Sequence, residues 1–412
     1  MVVCKSELMK ILIPADRFGN VLHGGGVGWS SYYLAKALAE DGYDVDVIVP
    51  FENTKGVGRP FRKIDNVKVT YFGYKKGLLP VLKNRNVNEI FWKDFGNFLE
   101  NYLSHNKVDI IHAQHQMTII PSIIAGKKHG IPVVSHLRNY WPVCYFGTLG
   151  FGEKHDCKAC VARHFPFAAV PGSPVMRYVR KNLEYKKKVL LQSDRIISIG
   201  MFMQELLGRE GIHSEYVPNF VDIDDLKGAD VEINEPFMLY IGNLTEEKGA
   251  SFLLQALDRL GTIEALHNPL KTIVVGNGHL ERKMKSFIEK RRLNVQLIGR
   301  ISHEKVIGLT MKSEAVLFPS LWPEPFGRVI IESMALGKTV IATDFGEPSR
   351  IIRNNYDGVL AKRTPEDFSD KISAVLNSGL NKKLGINAKQ SVKKRFNTRI
   401  GLKKIKKIYD GL

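Results

Sequence analysis

The chain has no long apolar run. Across its 412 residues no stretch of about 18 apolar residues occurs, which argues against a membrane-spanning helix. The start, from Met1 to Phe18, lacks a charged segment followed by an apolar stretch and a cleavage site, so it reads as a first strand and not as a leader. Cysteine is scarce: four thiols in a chain of this size make no disulfide framework, and a cytoplasmic location is expected. No self-similar period of about 20–50 residues appears, so solenoids and propellers are set aside. Acidic residues are missing altogether from Lys371 to Tyr409, while Lys382, Lys383, Lys389, Lys393, Lys394, Arg395 and Lys403 recur there.

That imbalance contributes to a formal charge of +18. A second basic stretch runs through Arg177, Arg180, Lys181 and Lys186–Lys188. Such fields attract anions, whether nucleic acid, anionic lipid or phosphorylated substrates. No RNA-recognition, zinc-finger or glycine-loop motif lies near either run, so a nucleic-acid partner is not expected. Basic residues interleave with Met176, Val179 and Leu183 in one segment and with Phe396, Leu402, Ile405 and Ile408 in the other. That pattern fits either a peripheral anionic membrane surface or two solvated helix faces whose apolar stripes pack inward.

What is present is an alternation of short apolar runs with helical periods. Lys10–Pro14, Asp44–Val49, Val108–His112 and Pro132–Ser135 read as strands, with a helix expected from Ser30 or Ser31 through Leu38. A second set follows: Phe237–Ile241, Thr272–Val275, Val295–Ile298, Ala315–Phe318 and Thr339–Ala342. Runs of this kind argue for parallel sheets wound in βαβ units. A chain of this length suggests two domains. The expected division is residues 1–220, an acid-rich linker 221–236, a second domain 237–395 and a terminal helix 396–412.

The most informative segment is Ser320-Leu-Trp-Pro-Glu-Pro-Phe-Gly-Arg-Val-Ile-Ile-Glu332. It puts Glu324 in a proline-rich loop and Glu332 within a helix that begins near Gly327. The first N–H groups of such a helix have no partner within it, and together with the dipole they attract phosphate. A loop carboxylate can bind sugar hydroxyls, and one about a turn and a half into the helix can reach a ribose. An ordinary acidic helix start would read the same way.

Here the chain resembles the retaining glycosyltransferases of family 4, whose hallmark is two glutamates separated by seven residues, matched by Glu324 and Glu332. The likeness includes Pro319-Ser320 through Gly337, Gly242 through Gly249, Val274 through Gly278, and Ala342 through Pro348, in the family's order. It implies an α/β protein of the GT-B fold, two Rossmann-like parallel-sheet domains facing each other across a cleft, using a nucleotide-diphospho-sugar donor. The terminal helix would then cross back to the first domain. By resemblance Glu332 holds the ribose, Glu324 and the Phe326-Gly327 amides hold sugar hydroxyls, and Lys248 holds the diphosphate. Where the family carries a second basic residue this chain has Asn243, which donates hydrogen bonds without charge; Arg300 and Arg328 are candidates to compensate.

In the first domain, His23 to Gly28 is a glycine-rich stretch after a strand. It fails the dinucleotide pattern G-x-G-x-x-G, because Trp29 or Ser31 stands where the last glycine belongs. By itself it fits a tight turn; the resemblance makes Gly25 and Gly26 a loop facing donor phosphates. His136 ends a strand at the edge that lines ligand crevices in open α/β sheets. A lone histidine is more often structural, yet the family places one here beside the transferred sugar. For His112 and His115 nothing favours a functional reading over the structural one. Cys144, Cys157 and Cys160, with His155 and His164 nearby, have spacings that suit a structural zinc ion and equally suit reduced thiols. No cofactor is expected for catalysis.

The expected activity is transfer of a sugar, with retention, to a hydroxyl of a glycan, lipid-linked or small-molecule acceptor. A GT-B nucleotide-sugar epimerase and a non-catalytic anion- or lipid-binding protein are the alternatives. A NAD enzyme is disfavoured by the failed fingerprint.

Overall fold

Ile11, Leu12 and Ile13 are all fully shielded from solvent, which a strand achieves only with a layer packed on each face. The structure is a computed structural model that describes residues 8–19, 25–52, 62–74, 89–149, 161–162, 173–233, 235–261 and 270–412. By internal packing it forms two units: the residues up to Asn219 together with Gly401–Leu412, and Phe220–Ile400.

The first unit contains β1 (Lys10–Pro14), β2 (Asp44–Glu52), β3 (Arg62–Ile64), β4 (Val67–Tyr74), β5 (Ile110–Gln114), β6 (Val133–Leu137), β7 (Arg195–Ser198) and β8 (Glu215–Tyr216). Their order is β3-β4-β2-β1-β5-β6-β7-β8. Only the short edge strand β3 runs antiparallel to its neighbour. The second unit contains β9 (Phe237–Ile241), β10 (Lys271–Val275), β11 (Val295–Gly299), β12 (Ala315–Phe318), β13 (Thr339–Thr343) and β14 (Val359–Ala361), all parallel, in the order β11-β10-β9-β12-β13-β14.

Both sheets are doubly wound, and this places their sites. From β1 the chain winds outward through β2 on one side and resumes with β5 on the other; from β9 it winds through β10 and resumes with β12. Loops that leave such a pair of strands diverge and open a crevice at their carboxyl ends. The loops after β1 and β5, and after β9 and β12, are therefore where ligands are expected.

The structure departs from the sequence reading in several places. The helix expected to start at Ser30 or Ser31 begins at Gly25 and runs to Glu40. Neither serine caps it: Ser30 Oγ donates to the Gly26 carbonyl and Ser31 Oγ to that of Val27, four residues back in each case. Strands β3, β4, β7, β8 and β14 were not anticipated. The acid-rich stretch after Val221 is anchored to the second unit, since Val221 N donates to Phe396 O and Ala229 N to Glu304 O. Glycine makes this contact feasible, because a Cβ on Gly308 would lie 2.1 Å from the Ala229 oxygen.

The apolar residues offered to a membrane surface are turned inward. Met176 and Val179 are buried, and Leu183 packs beside them with Tyr145 and Val161. On the helix Thr398–Tyr409, Ile405 and Ile408 are buried, as is Phe396 just before it. Burial of these stripes leaves most of the basic residues as solvated faces; Lys186 is instead buried, its ammonium over the Trp141 and Tyr145 rings. Among the described residues no helix is long and apolar enough to cross a membrane.

Candidate functional site

In the second unit, close backbone contacts shape the crevice. Gly249 has φ +70°, and a Cβ there would stand 1.8 Å from the Pro319 oxygen; one on Gly276, at φ +137°, would stand 1.8 Å from the Gly242 oxygen. Only glycine satisfies both the left-handed backbone and the contact. The loop after β9 is thus pressed onto the end of β12, and Leu321 N donates to Glu247 O at 2.9 Å. This brings Lys248 to Glu324: Nζ and Oε1 are 2.6 Å apart, with the carboxylate buried and the ammonium partly open. Ser320 Oγ donates to the same oxygen at 2.9 Å. The Trp322 ring lies under the ammonium, 4.8 Å from its centroid. Gly346 lets the loop after β13 pack against Pro323, and Glu347 N donates to the Glu324 carbonyl.

Gly327, at φ +100°, redirects the chain into the helix Arg328–Ala335. Glu332 and Arg328 are both buried there and form an i,i+4 ion pair, Nε to Oε1 2.7 Å. His303 Nε2 lies 3.4 Å from the same carboxylate oxygen. Burial favours the neutral form of Glu332, but the Arg328 charge, followed by the hydrogen bond and charge of His303, prevails and holds its pKa below the usual value. Phe326 packs edge-on against Phe396, so its ring is core and only its backbone remains available. Asn243 and Arg300 are exposed at the ends of β9 and β11. The Asn243 carbonyl accepts from Tyr240 Oη at 3.0 Å.

In the first unit, Gly25 and Gly26 form the exposed first turn of their helix, where backbone N–H groups have no intrahelical partner. The remainder of that glycine stretch, from His23 to Gly24, lies outside the described residues. His136 is buried at the end of β6. Its Nδ1 is 3.1 Å from His112 Nε2, and the two ring planes are nearly parallel, 16° apart, with centroids separated by 5.2 Å. Gln114 Nε2 is 3.5 Å from the same Nδ1, and Gln114 Oε1 accepts from Arg138 Nε and Nη2. Arg138 Nη1 donates to Asn219 Oδ1. Burial, and then the Arg138 charge, pushes His112 down to about 3; the same two causes in the same order depress His136. Both imidazoles are neutral near neutral pH. His136 Nε2 is shielded and has no partner among the described residues.

Where β1 and β5 diverge, Asp16 Oδ2 meets His115 Nδ1 at 2.7 Å and both Asp16 oxygens accept from Met117 N. His115 adopts φ +72°, a left-handed backbone uncommon outside glycine. No local pattern in the sequence links Asp16 to His115, or ties His112, Arg138 and His303 to the predicted residues, and Ser320 was read as part of the motif without a partner.

Among the described residues no three His, Cys, Asp or Glu side chains converge as a metal site. Cys144 is buried, and its sulfur accepts from Leu149 N at 3.3 Å. Cys157 and Cys160 lie outside the described residues.

Comparison with known proteins adds to this geometry. The family profile "Glycosyltransferase Family 4" matches residues 24–225, and "Glycosyl transferases group 1" matches residues 224–391. An uncharacterized glycosyltransferase of Methanocaldococcus jannaschii is 28% identical over 245 residues, 56% of this chain and 64% of that protein. A phosphatidyl-myo-inositol mannosyltransferase of Mycobacterium leprae is 24% identical over 51% of this chain and 56% of its own length. The matches thus span about 60% of these relatives. The crystal structure of Anabaena HepE in complex with UDP and glucose superposes with a TM-score of 0.67 at 18% identity, covering 98% of this chain and 100% of that one.

Proposed function

The chain belongs to family 4 of the glycosyltransferases with the GT-B fold, and from that premise we propose that it moves a sugar from a nucleotide-diphospho-sugar to an acceptor hydroxyl with retention of anomeric configuration. The observation that carries this reading is the Lys248–Glu324 ion pair, held at the sheet's switch point beside the helix that bears Glu332.

The roles follow from charge and reach. Glu332 holds the ribose, oriented by Arg328 and His303. Glu324 and the Phe326-Gly327 amides hold sugar hydroxyls. Lys248 shifts part of its charge from Glu324 to the diphosphate and offsets the negative charge that grows there as the anomeric C–O bond breaks. Asn243, and the first-turn amides of Gly25 and Gly26, add neutral hydrogen bonds. The acceptor oxygen forms the new anomeric bond on the face the phosphate leaves, and its proton passes to the departing phosphate oxygen. This front-face course needs no protein nucleophile. His136 is the first unit's hydrogen-bond donor to a sugar hydroxyl.

A glycan or lipid-linked hydroxyl is the proposed acceptor, and a cytoplasmic, peripheral position at an anionic membrane face goes with it. Support comes from the basic faces and from a relative whose name gives phosphatidyl-myo-inositol as what it mannosylates. With the apolar stripes buried, attraction to such a surface is electrostatic.

The test is a thermal-shift and calorimetric screen against UDP, GDP, ADP, dTDP and their sugar conjugates, using wild type and Glu332→Ala. Selective stabilisation by one base, lost in the variant, is expected. Binding of none by folded protein would overturn the donor reading. Release of an isomerised sugar without acceptor would replace transfer by epimerisation.

A further inference from the structure

We propose that Tyr409, on the last helix, is a positioning residue for His136: acting through His112, it fixes His136 as the Nε2–H tautomer. His136 then meets its ligand as a neutral hydrogen-bond donor.

The direction of the hydrogen bonds starts at a group that can only donate. A guanidinium has no acceptor. Arg138 aims Nε and Nη2 at one atom, Gln114 Oε1, at 2.9 and 2.5 Å. The amide oxygen therefore faces Arg138 and the NH2 faces His136, 3.5 Å from Nδ1. Nδ1 must be the acceptor. His112 Nε2, 3.1 Å from the same atom, then has to carry a proton. A neutral His112 protonated at Nε2 keeps its lone pair on Nδ1, and that atom lies 2.6 Å from Tyr409 Oη. The phenol closes the series as donor. Each ring has one proton, and the one left on His136 is at Nε2, the atom without a partner among the described residues.

Two features hold the far end of this relay. The Tyr409 ring is wedged edge-on between His112 and Tyr43, with centroids 5.7 and 6.1 Å away. Ile405 and Ile408 are buried on the same helix. Burial also keeps the phenol protonated, since it raises the Tyr409 pKa. Without the Tyr409 hydroxyl, His112 Nδ1 has a buried lone pair with no donor. Either tautomer of His112 then leaves its buried Nδ1 unsatisfied, so that end no longer holds the proton on Nε2. Only the long Gln114 contact still favours the original arrangement, and part of the population takes up Nδ1–H on His136, where Nε2 is an acceptor.

The consequence for turnover rests on the reading of His136 as a donor to a sugar hydroxyl, whereas the tautomer itself does not. The experiment measures two-bond proton–nitrogen correlations of histidine-labelled full-length protein, beside steady-state kinetics. In wild type, His136 should show a pyrrole-type Nε2 and a pyridine-type Nδ1. Tyr409→Phe should mix these signatures and lower kcat about threefold with donor KM unchanged. His112→Gln supplies an amide donor that does not depend on the phenol. Adding Tyr409→Phe to it should leave the His136 signature and kcat where His112→Gln alone puts them. An Nδ1–H signature in wild type, or an unchanged one in folded Tyr409→Phe, would overturn the relay. Full turnover by His136→Ala would instead refute the donor role of His136, with the spectra still deciding the relay.

Discussion

Glu332 and Arg328 neutralise each other out of solvent, so neither can be removed without stranding the other. Glu332→Ala is expected to cost about 3 kcal/mol at neutral pH in addition to abolishing nucleotide binding. The folded-state pKa of Glu332 is depressed. Its contribution is therefore complete above the unfolded value of 4.5 and is lost as pH falls through the folded value. Urea titrations of wild type and variant should converge on acidification; a constant gap would contradict the ion pair. The buried histidines act at a different pH. With His112 and His136 held neutral, the unfolded chain takes up protons first, so stability should begin to fall below about pH 6.5. His112→Gln should remove part of that slope. At Asn243 the missing charge can be restored. Asn243→Arg should tighten nucleoside diphosphate about threefold to tenfold and steepen its salt dependence, read by calorimetry at two ionic strengths. The residues legible in the sequence, Lys248, Glu324 and Glu332, sit in short motifs whose spacing survives folding. The His136 network was not legible, because His112 and Tyr409 are 297 positions apart and no local pattern links them.

At the scale of elements, the crevice of the second unit is set by backbone touching backbone. Gly249→Ala places a methyl within the Pro319 carbonyl and forces a left-handed residue out of its basin. It should lower Tm by several degrees and weaken donor binding, although residue 249 is not assigned any ligand contact. If affinity survives at reduced Tm, the loop does not set the distance from Lys248 to Glu324. Core strands were the readable elements: Phe237–Ile241 and Ala315–Phe318 are observed with the expected ends. Strands at or near an edge were read unevenly: Val295–Gly299 was expected, but Val67–Tyr74 and Val359–Ala361 were not. Val67–Tyr74 is half exposed, and Val359–Ala361 is three residues long, too short for a period to register. The helix after the glycine stretch starts a turn and a half earlier than read, because its serines bond backward instead of capping.

For the whole molecule, charge and burial make separate predictions. The protein should co-sediment with anionic vesicles at low salt and be released at high salt, and it should ignore neutral vesicles, since Met176, Val179, Ile405 and Ile408 are already buried. Salt-resistant binding to neutral lipid would mean that one of these helices turns over. The division into units carries a consequence for synthesis on the ribosome. The first unit ends at Asn219 and is completed only by Gly401–Leu412. At roughly 5–20 residues per second, the intervening stretch keeps the nascent first unit waiting for about ten to forty seconds. During that interval its sheet has no Ile405, Ile408 or Tyr409 to cover it. A chain stalled or truncated before residue 401 would therefore display an apolar face and an incomplete histidine pair, the kind of surface that chaperones hold and proteases find.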